Sequence, residues 1–208
     1  MNSQPQRAVK NIIFDFGGVL LEWHPDRVYR SYFPDETALQ SFYAETQIMH
    51  HNRELDRGQP FDRILRQLAA QYPQHSEPLK LWKSAWHKML GGAIEGTVEI
   101  LYTLEKSRYR LFGLTNWAAE TFPYVYYKHD FFQLFEDIVV SGREGMIKPE
   151  PEIFDLCLSR NQIRAEDCLF IDDNLENVQA AEQLGMQAIH FRDPNQLRQS
   201  LMEMKIRL

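Results

Sequence analysis

The sequence predicts an α/β protein with a doubly wound, Rossmann-like parallel sheet and an inserted all-helical cap. Two observations lead to this prediction. Beyond about residue 92, short apolar runs alternate with helical patterns, whereas the segment from about Pro25 to Gly91 has helical periodicity without β-type alternation. We therefore expect a core domain formed by residues 1–22 and 92–208, and a helical cap formed by residues 23–91.

Each predicted strand is a short apolar run bounded by turn residues, as is typical of buried parallel strands. The predicted strands are 9–14, 109–114, 137–140, 168–171 and 187–191. The predicted core helices are 96–107, 118–129, 152–161, 176–184 and one beginning at Pro194. In the cap, the periodicity predicts helices at 27–33, 37–50, 60–71 and 77–90.

Four short polar motifs lie directly after apolar runs of the predicted core. They are Asp15, Thr115-Asn116, Lys148-Pro149 and Asp172-Asp173. In an open α/β sheet, the ligand crevice lies outside the carboxyl ends of the strands. Because three of the motifs end predicted strands and Lys148 begins a helix nearby, we expect all four to meet in one site.

The residue types in these motifs suit phosphoryl transfer. A carboxylate such as Asp15 can attack phosphorus and form an aspartyl-phosphate, and Gly17-Gly18 let the backbone approach a bound anion. The Thr115 hydroxyl and the Asn116 backbone N–H can donate hydrogen bonds to phosphate oxygens. Lys148 would supply positive charge to the same oxygens and to Asp15.

Attack by one anion on another is opposed by repulsion, which a hard divalent cation relieves. Carboxylate oxygens and water are ligands that suit Mg²⁺. Adjacent side chains on a strand point to opposite faces, so we expect Asp173 to bind the metal and Asp172 to orient a ligand or Lys148. Helix capping is the alternative role for this acidic pair.

The four motifs together resemble those of the haloacid dehalogenase superfamily of hydrolases, over most of the chain. The matching segments are Asp15-Phe16-Gly17-Gly18-Val19, Thr115-Asn116, Lys148-Pro149-Glu150-Pro151 and Ile171-Asp172-Asp173-Asn174. The resemblance implies a magnesium-dependent phosphatase with an aspartyl-phosphate on Asp15. In particular, the chain resembles the branch with a helical cap, which includes small sugar-phosphate phosphatases. Small sugar phosphates are therefore the first expected substrates.

One position departs from the family pattern. Phosphatases of the superfamily usually carry a second Asp two residues after the nucleophile, as general acid and base, and here that residue is Gly17. Its backbone carbonyl still offers an oxygen to magnesium. A replacement acid would have to come from elsewhere, and the nearest downstream candidates are Glu22, His24 and Asp26. General acid catalysis typically contributes roughly 10²–10⁴-fold.

Two alternative functions use the same fold. A 2-haloacid dehalogenase would direct the Asp15 nucleophile at carbon without a metal, and the pair Asp172-Asp173 argues against it. A binding module without turnover is suggested by Gly17. Retention of Asp15, Thr115, Lys148 and Asp173 argues against that role, because a structural role needs none of them.

The sequence does not decide the roles of several aromatic and histidine residues. Trp82 and Trp86 are spaced to share one helix face, where they would pack the cap or line the substrate pocket. Trp117 would flank the substrate or pack under the cap. The adjacent His50-His51 pair is expected in solvent.

A polar turn precedes Gly58 in the predicted cap. It contains Glu54, Asp56 and Arg57. We expect these residues to be structural, and the alternative is a loop that extends from the cap into the crevice.

Bulk composition is that of a globular domain. Of 208 residues, 29 are acidic and 23 basic, which argues against nucleic-acid or anionic-membrane partners. No apolar stretch approaches the roughly 20 residues of a membrane span, and the first ten residues lack a signal-peptide pattern. Cys157 and Cys168 lack metal-site spacing and are expected to be reduced and buried. These features predict a cytoplasmic protein. The motifs and the resemblance imply a small-molecule phosphate ester as its partner, with no prediction of oligomeric state.

Overall fold

A computed structural model describes residues 8–208, so the first seven residues of the predicted segment 1–22 lie outside it. The strands in this range are β1 Asn11–Phe14, β2 Leu21–Trp23, β3 Leu90–Ala93, β4 Arg110–Thr115, β5 Asp137–Val140, β6 Cys168–Asp172 and β7 Gln187–His190. The helices are α1 Asp26–Tyr29, α2 Glu36–Thr46, α3 Ile48–Asp56, α4 Phe61–Gln71, α5 Ser76–Ser84, α6 Trp86–Met89, α7 Glu95–Lys106, α8 Phe122–Tyr126, α9 Ser141–Glu144, α10 Pro151–Asn161, α11 Leu175–Gln183 and α12 Pro194–Glu203.

Five strands form one parallel sheet in the order β5-β4-β1-β6-β7. The central strand β1 pairs Phe14 with Gly113 of β4 and with Ile171 of β6. The carboxyl ends of these three strands are therefore level with one another. This topology confirms the predicted α/β fold class and brings the residues that follow the strands to one edge of the sheet.

Both faces of the sheet are covered. Along β1, Ile12 and Phe14 belong to one hydrophobic cluster and Ile13 to a second, as the alternation of side chains on a strand requires. Every residue of β1 is buried. Cys157 and Cys168 are free and buried, as expected. Among the described residues, no helix is long and apolar enough to span a bilayer.

Six helices, α1 to α6, lie between β2 and β3 in the chain. These two strands pair antiparallel, with Leu21 opposite Ala93 and Trp23 opposite Leu90. The predicted cap boundaries at residues 22/23 and 91/92 fall inside this hairpin. The sequence did not predict β3, because Leu90-Gly91-Gly92-Ala93 lacks the β-branched and aromatic residues that mark a strand.

Four predicted helices differ from the observed ones. The predicted 27–33 helix is helical only over Asp26–Tyr29. The predicted 77–90 helix breaks at Ala85 and ends where β3 begins. Of the predicted 118–129 helix, only Phe122–Tyr126 is helical, because Pro123 is tolerated only in a first turn.

The predicted 37–50 helix is interrupted at Gln47, whose left-handed backbone (φ 47°) separates α2 from α3. This backbone conformation is uncommon for a residue other than glycine, so the sequence gives no local signal for the break.

The close contact between β4 and the first loop gives a test of the fold. A Cβ atom at Gly113 would lie 2.3 Å from the ring of Phe16, which is held by Phe132 and Phe135 at centroid distances of 5.0 and 5.2 Å. We expect Gly113→Ala to lower the free energy of unfolding by about 1–3 kcal/mol, as overpacking does. Chemical denaturation measures the change. Gly92→Ala is the matched control, since a Cβ there meets nothing within 4 Å, and an equal loss in both variants would contradict the prediction.

Candidate active site

A buried lysine joins the ends of three neighbouring strands. Lys148 Nζ lies 2.9 Å from Asp15 Oδ1 and 2.6 Å from Asp172 Oδ2, and it donates a 2.8 Å hydrogen bond to the Leu114 carbonyl. Its side chain is fully buried, and that of Asp172 is as well. One ammonium group therefore fixes the positions of two carboxylates at the carboxyl edge of the sheet.

The Asn116 side chain positions the backbone of Lys148. Its Oδ1 accepts the Lys148 N–H at 2.8 Å, and its Nδ2 donates to the Lys148 carbonyl at 3.0 Å. An amide suits this arrangement because it offers a donor and an acceptor side by side. The sequence predicted only the backbone N–H of Asn116 as a phosphate ligand. The bracing of Lys148 by its side chain was not predicted, because the two residues are 32 positions apart.

The two consecutive aspartates have different environments. Asp172 Oδ1 accepts the Asn174 N–H at 2.8 Å and Asn177 Nδ2 at 3.1 Å, while Oδ2 accepts Lys148. Asp173 is exposed, and its carboxylate packs closely against Gly18. A Cβ atom at Gly18 would lie only 2.2 Å from Asp173 Oδ2, so a larger residue at position 18 would displace this carboxylate. The capping role falls to Asn174, whose side chain accepts the Glu176 N–H at 2.8 Å.

The acidic residues of this edge fit a magnesium ion. Carboxylate oxygens of Asp15, Asp172 and Asp173 lie within 4.8 Å of one another. An all-oxygen donor set of this kind suits Mg²⁺. Because both oxygens of Asp172 already accept hydrogen bonds, the residues that would hold the ion are Asp15 and Asp173, with the Gly17 carbonyl.

The crowding of charge at this edge shifts the acidities of its groups. Burial raises the pKa of Asp15 to about 7, against the attraction of Lys148, and the charges of Asp172 and Asp173 add to the rise. The pKa of Asp173 is also raised, first because the neighbouring protein atoms partly desolvate its carboxylate and then because Asp172 repels its charge. Burial disfavours the charged form of Lys148 and so acts to lower its pKa. Asp15 and Asp172 together have the larger, opposite effect, and the lysine pKa is raised. A bound cation would favour the ionised carboxylates.

Thr115 lies at the end of β4 beside these groups. Its Oγ1 is buried and makes no hydrogen bond within the described part of the chain. A buried hydroxyl without a partner carries a desolvation cost, which a ligand oxygen would remove. The position fits the predicted role as a donor to phosphate.

A cavity of about 250 Å³ opens at this edge of the sheet. Its lining residues come from both the core and the cap: Asp15, Gly17, Gly18, Trp23, Asn52, Asp56, Trp86, Asn116, Trp117, Ala118, Thr121 and Asp173. Thr115, Lys148 and Asp172 are buried and do not line it. The residues that the sequence placed in one site are therefore close together, some facing the cavity and some holding the others in place.

Three tryptophans form one wall of the cavity. Trp86 lies between Trp23 and Trp117, with ring centroids 5.5 and 5.7 Å apart. Of the two tryptophans that the sequence placed on one helix face, Trp82 is fully buried in the cap and only Trp86 lines the cavity. Trp117 both lines the cavity and packs against the cap.

The polar turn at the end of α3 has separate roles for its residues. Asp56 lines the cavity, and its Oδ2 accepts a 2.9 Å hydrogen bond from Asn52. Glu54 instead lies 2.6 Å from His51, and His50 is exposed as expected. The presence of Asp56 in the cavity fits the alternative in which the cap extends into the crevice.

The acid candidates taken from the sequence after Gly17 do not line the cavity. Glu22 pairs with Arg27 at 2.8 Å and lies 3.7 Å from His24. Asp26 accepts a 2.8 Å hydrogen bond from the Tyr43 hydroxyl. All three are engaged within the cap and its hairpin.

The parallel sheet therefore carries a carboxylate at Asp15, a buried lysine and an acidic pair at its carboxyl edge. The family model of the haloacid dehalogenase-like hydrolases matches residues 12–191. The chain belongs to this family.

Relatives with different activities share this domain. The chain is 29% identical over 190 residues to a sesquiterpene phosphatase of Aspergillus oryzae, covering 88% of this chain and 90% of that protein. It is 24% identical over 204 residues to a D-ribitol-5-phosphate phosphatase of Bacteroides thetaiotaomicron, covering 93% and 97%. A drimenol cyclase of Aspergillus calidoustus is 24% identical over 193 residues, which are 93% of this chain, and the match spans 36% of the cyclase.

A solved structure also shares the fold. A mutant haloacid dehalogenase family enzyme of Bacteroides thetaiotaomicron, in complex with magnesium and inorganic phosphate, has a TM-score of 0.71 and 21% identity. The alignment covers 89% of this chain and 95% of that one.

The different contacts of the acidic pair give a test of the metal site. If magnesium binds here, we expect Asp173→Asn to abolish magnesium-dependent activity, because it would remove an expected ligand. Asp172→Asn should weaken magnesium affinity by roughly 10–100-fold, as loss of an orienting residue does. A magnesium titration of activity and of heat release measures both. If excess magnesium restores Asp173→Asn while Asp172→Asn stays inactive, the two roles are reversed.

Proposed function

We propose that this protein is a magnesium-dependent phosphatase of a small phosphorylated metabolite, acting through an aspartyl-phosphate on Asp15. The observation that carries the proposal is the Asp15 carboxylate at the cavity surface, held 2.9 Å from a buried ammonium group. Two relatives that match over nearly their whole length are phosphatases, one of a sesquiterpene and one of D-ribitol 5-phosphate.

The residues of the site suit each stage of such a reaction. Lys148 binds one carboxylate oxygen of Asp15, and the other oxygen attacks phosphorus. Asn116 lines the cavity, and its backbone N–H would donate a hydrogen bond to the transferred group. The buried, unpaired Thr115 hydroxyl is the second proposed donor. Lys148, whose three N–H donors are already taken, would act on that group only through its charge. A magnesium ion at Asp15, Gly17 and Asp173 would supply further positive charge beside that group.

The acidic cluster favours this function over the two alternatives. A dehalogenase works without a metal ion, so it would not require the carboxylate of Asp173 next to that of Asp15. A binding module without turnover would not need a buried lysine that is paired with two carboxylates, one of which is the proposed nucleophile Asp15.

A small sugar or polyol phosphate is the proposed substrate class. The tryptophans of the cavity wall offer flat faces to the C–H groups of such a molecule, and Asn52 offers an amide to its hydroxyls. The volume of about 250 Å³ favours a small group. Phosphate release from sugar, polyol and isoprenyl phosphates, compared by kcat/KM, tests this choice, and preference for the isoprenyl esters would overturn it.

The nucleophile gives the first test of the function. We expect Asp15→Asn to reduce kcat for p-nitrophenyl phosphate by several orders of magnitude, because an amide does not form the acyl-phosphate. EDTA should stop the wild-type reaction. Circular dichroism checks that the variant is folded. Residual activity above about a tenth of wild type would exclude Asp15 as the nucleophile.

A further inference from the structure

The cavity contains one carboxyl group that the cap contributes. The acidic residues lining it are Asp15 and Asp173 from the sheet edge and Asp56 from the end of α3. Neither the nucleophile nor the metal site uses Asp56. Across the same cavity, Gly17 leaves the reaction without the side chain that would protonate a leaving group.

The backbone at Asp56 is fixed to the core. Ser141 Oγ, at the end of β5, donates a 2.6 Å hydrogen bond to the Asp56 carbonyl. Gly58 packs so closely that a Cβ there would be 2.6 Å from the Gly142 carbonyl oxygen. Arg57 forms a salt bridge with Glu150, with Nη1 to Oε2 at 2.9 Å. Three consecutive cap residues are therefore attached to the segment that carries Lys148, although they are about 85 positions away from it in sequence.

The side chain of Asp56 is oriented as well. Asn52 Nδ2, one turn earlier on α3, donates to Oδ2 at 2.9 Å. Because an amide nitrogen donates only, this contact fixes Oδ2 as an acceptor. A carboxyl group with a fixed backbone and one fixed oxygen is pre-organised for proton transfer.

The electrostatic environment of Asp56 agrees with this geometry. The pKa of Asp56 is raised to about 7, mainly by burial and then by the charge of Asp15. Lys148, the Ala118 backbone N–H and Arg53 act in the opposite direction. Near neutral pH, such a carboxyl group is suited both to give and to take a proton.

We propose that Asp56 is the general acid and base of this enzyme, supplied by the cap in place of the residue missing at Gly17. In the first step, an Asp15 oxygen forms a bond to phosphorus, the bond from phosphorus to the ester oxygen breaks, and Asp56 gives its proton to that oxygen. In the second step, Asp56 takes a proton from the water that attacks phosphorus. The bond from phosphorus to Asp15 breaks, which releases phosphate and restores both carboxyl groups.

This inference rests on the proposed phosphatase function, and the experiment separates the two. The measurement is kcat/KM for phosphate monoesters with leaving groups of increasing pKa, from p-nitrophenyl to simple alkyl. This ratio reports the steps up to departure of the leaving group, so it isolates proton donation. In the wild type, we expect a shallow dependence on leaving-group pKa.

Asp56→Asn keeps the shape of the side chain and removes the proton. Alkyl esters should lose roughly 10²–10⁴-fold in kcat/KM, the usual contribution of a general acid. For p-nitrophenyl phosphate, whose leaving group departs unaided, the loss should be less than about tenfold. A purely structural role for Asp56 would instead lower both values by the same factor.

Two further variants complete the test. Gly17→Asp in the Asp56→Asn background should restore part of the alkyl-ester activity. The change is sterically allowed, because a Cβ at Gly17 has Trp117 as its nearest contact at 4.0 Å and the backbone is outside the left-handed region. Asp26→Asn is the matched cap variant, and it should leave the wild-type dependence unchanged.

Several outcomes would overturn the inference while leaving the phosphatase function intact. They are a steep dependence in the wild type, equal losses for both ester types in Asp56→Asn, and a dependence that steepens in Asp26→Asn instead. If Asp56→Asn does not fold, a steep dependence in the wild type would still overturn the inference. Absence of Asp15-dependent hydrolysis of any ester would overturn both the function and the inference.

Discussion

The arrangement of the site depends on the buried contact of Lys148 with Asp15 and Asp172. Removing three charged groups from water is costly, and the cost is met only when every group has close partners. Lys148 has three, the two carboxylates and the Leu114 carbonyl. Two carboxylates around one ammonium still leave a net negative charge, and the neighbouring Asp173 increases it. The lysine therefore fixes the geometry without neutralising the site, and the remaining charge favours a cation at the sheet edge.

The parallel sheet makes this contact possible. Phe14, Gly113 and Ile171 are in register, so Asp15 and Asp172 follow at one level from adjacent strands, and Thr115 lies one residue further along β4. Lys148 comes from a separate segment after β5, and the Asn116 amide holds its backbone on both sides. Each polar group is thus positioned by strand pairing or by another polar group. The loss of one member would leave buried partners unsatisfied.

The sequence predicts the core and its polar edge because that information is local. A buried strand and the residue after it, such as Asp15 after Asn11–Phe14, are encoded within a few positions. Other features depend on contacts between distant segments. Ser141, for example, contacts the backbone of Asp56 across 85 positions. The break at Gln47 has a left-handed backbone that no local residue pattern predicted. Gly91-Gly92 carries no strand signal although it lies in the hairpin that closes the cap. Asp56 was therefore identified as part of a polar turn, and its presence in the cavity appears only in three dimensions.

The division of the cavity between core and cap has a chemical consequence. In the proposed reaction, the groups at the sheet edge would face the phosphoryl group, which is common to every phosphate ester. Trp23, Trp86 and Asp56 line the part of the cavity to which the cap contributes, where the alcohol portion of an ester would lie. With an acid two residues after Asp15, protonation of the leaving group would depend on the core alone. With Gly17 at that position and Asp56 as the proposed acid, protonation would depend on the cap that also contacts the leaving group. An ester that fits this wall poorly would then lose proton transfer together with binding, which couples rate to recognition.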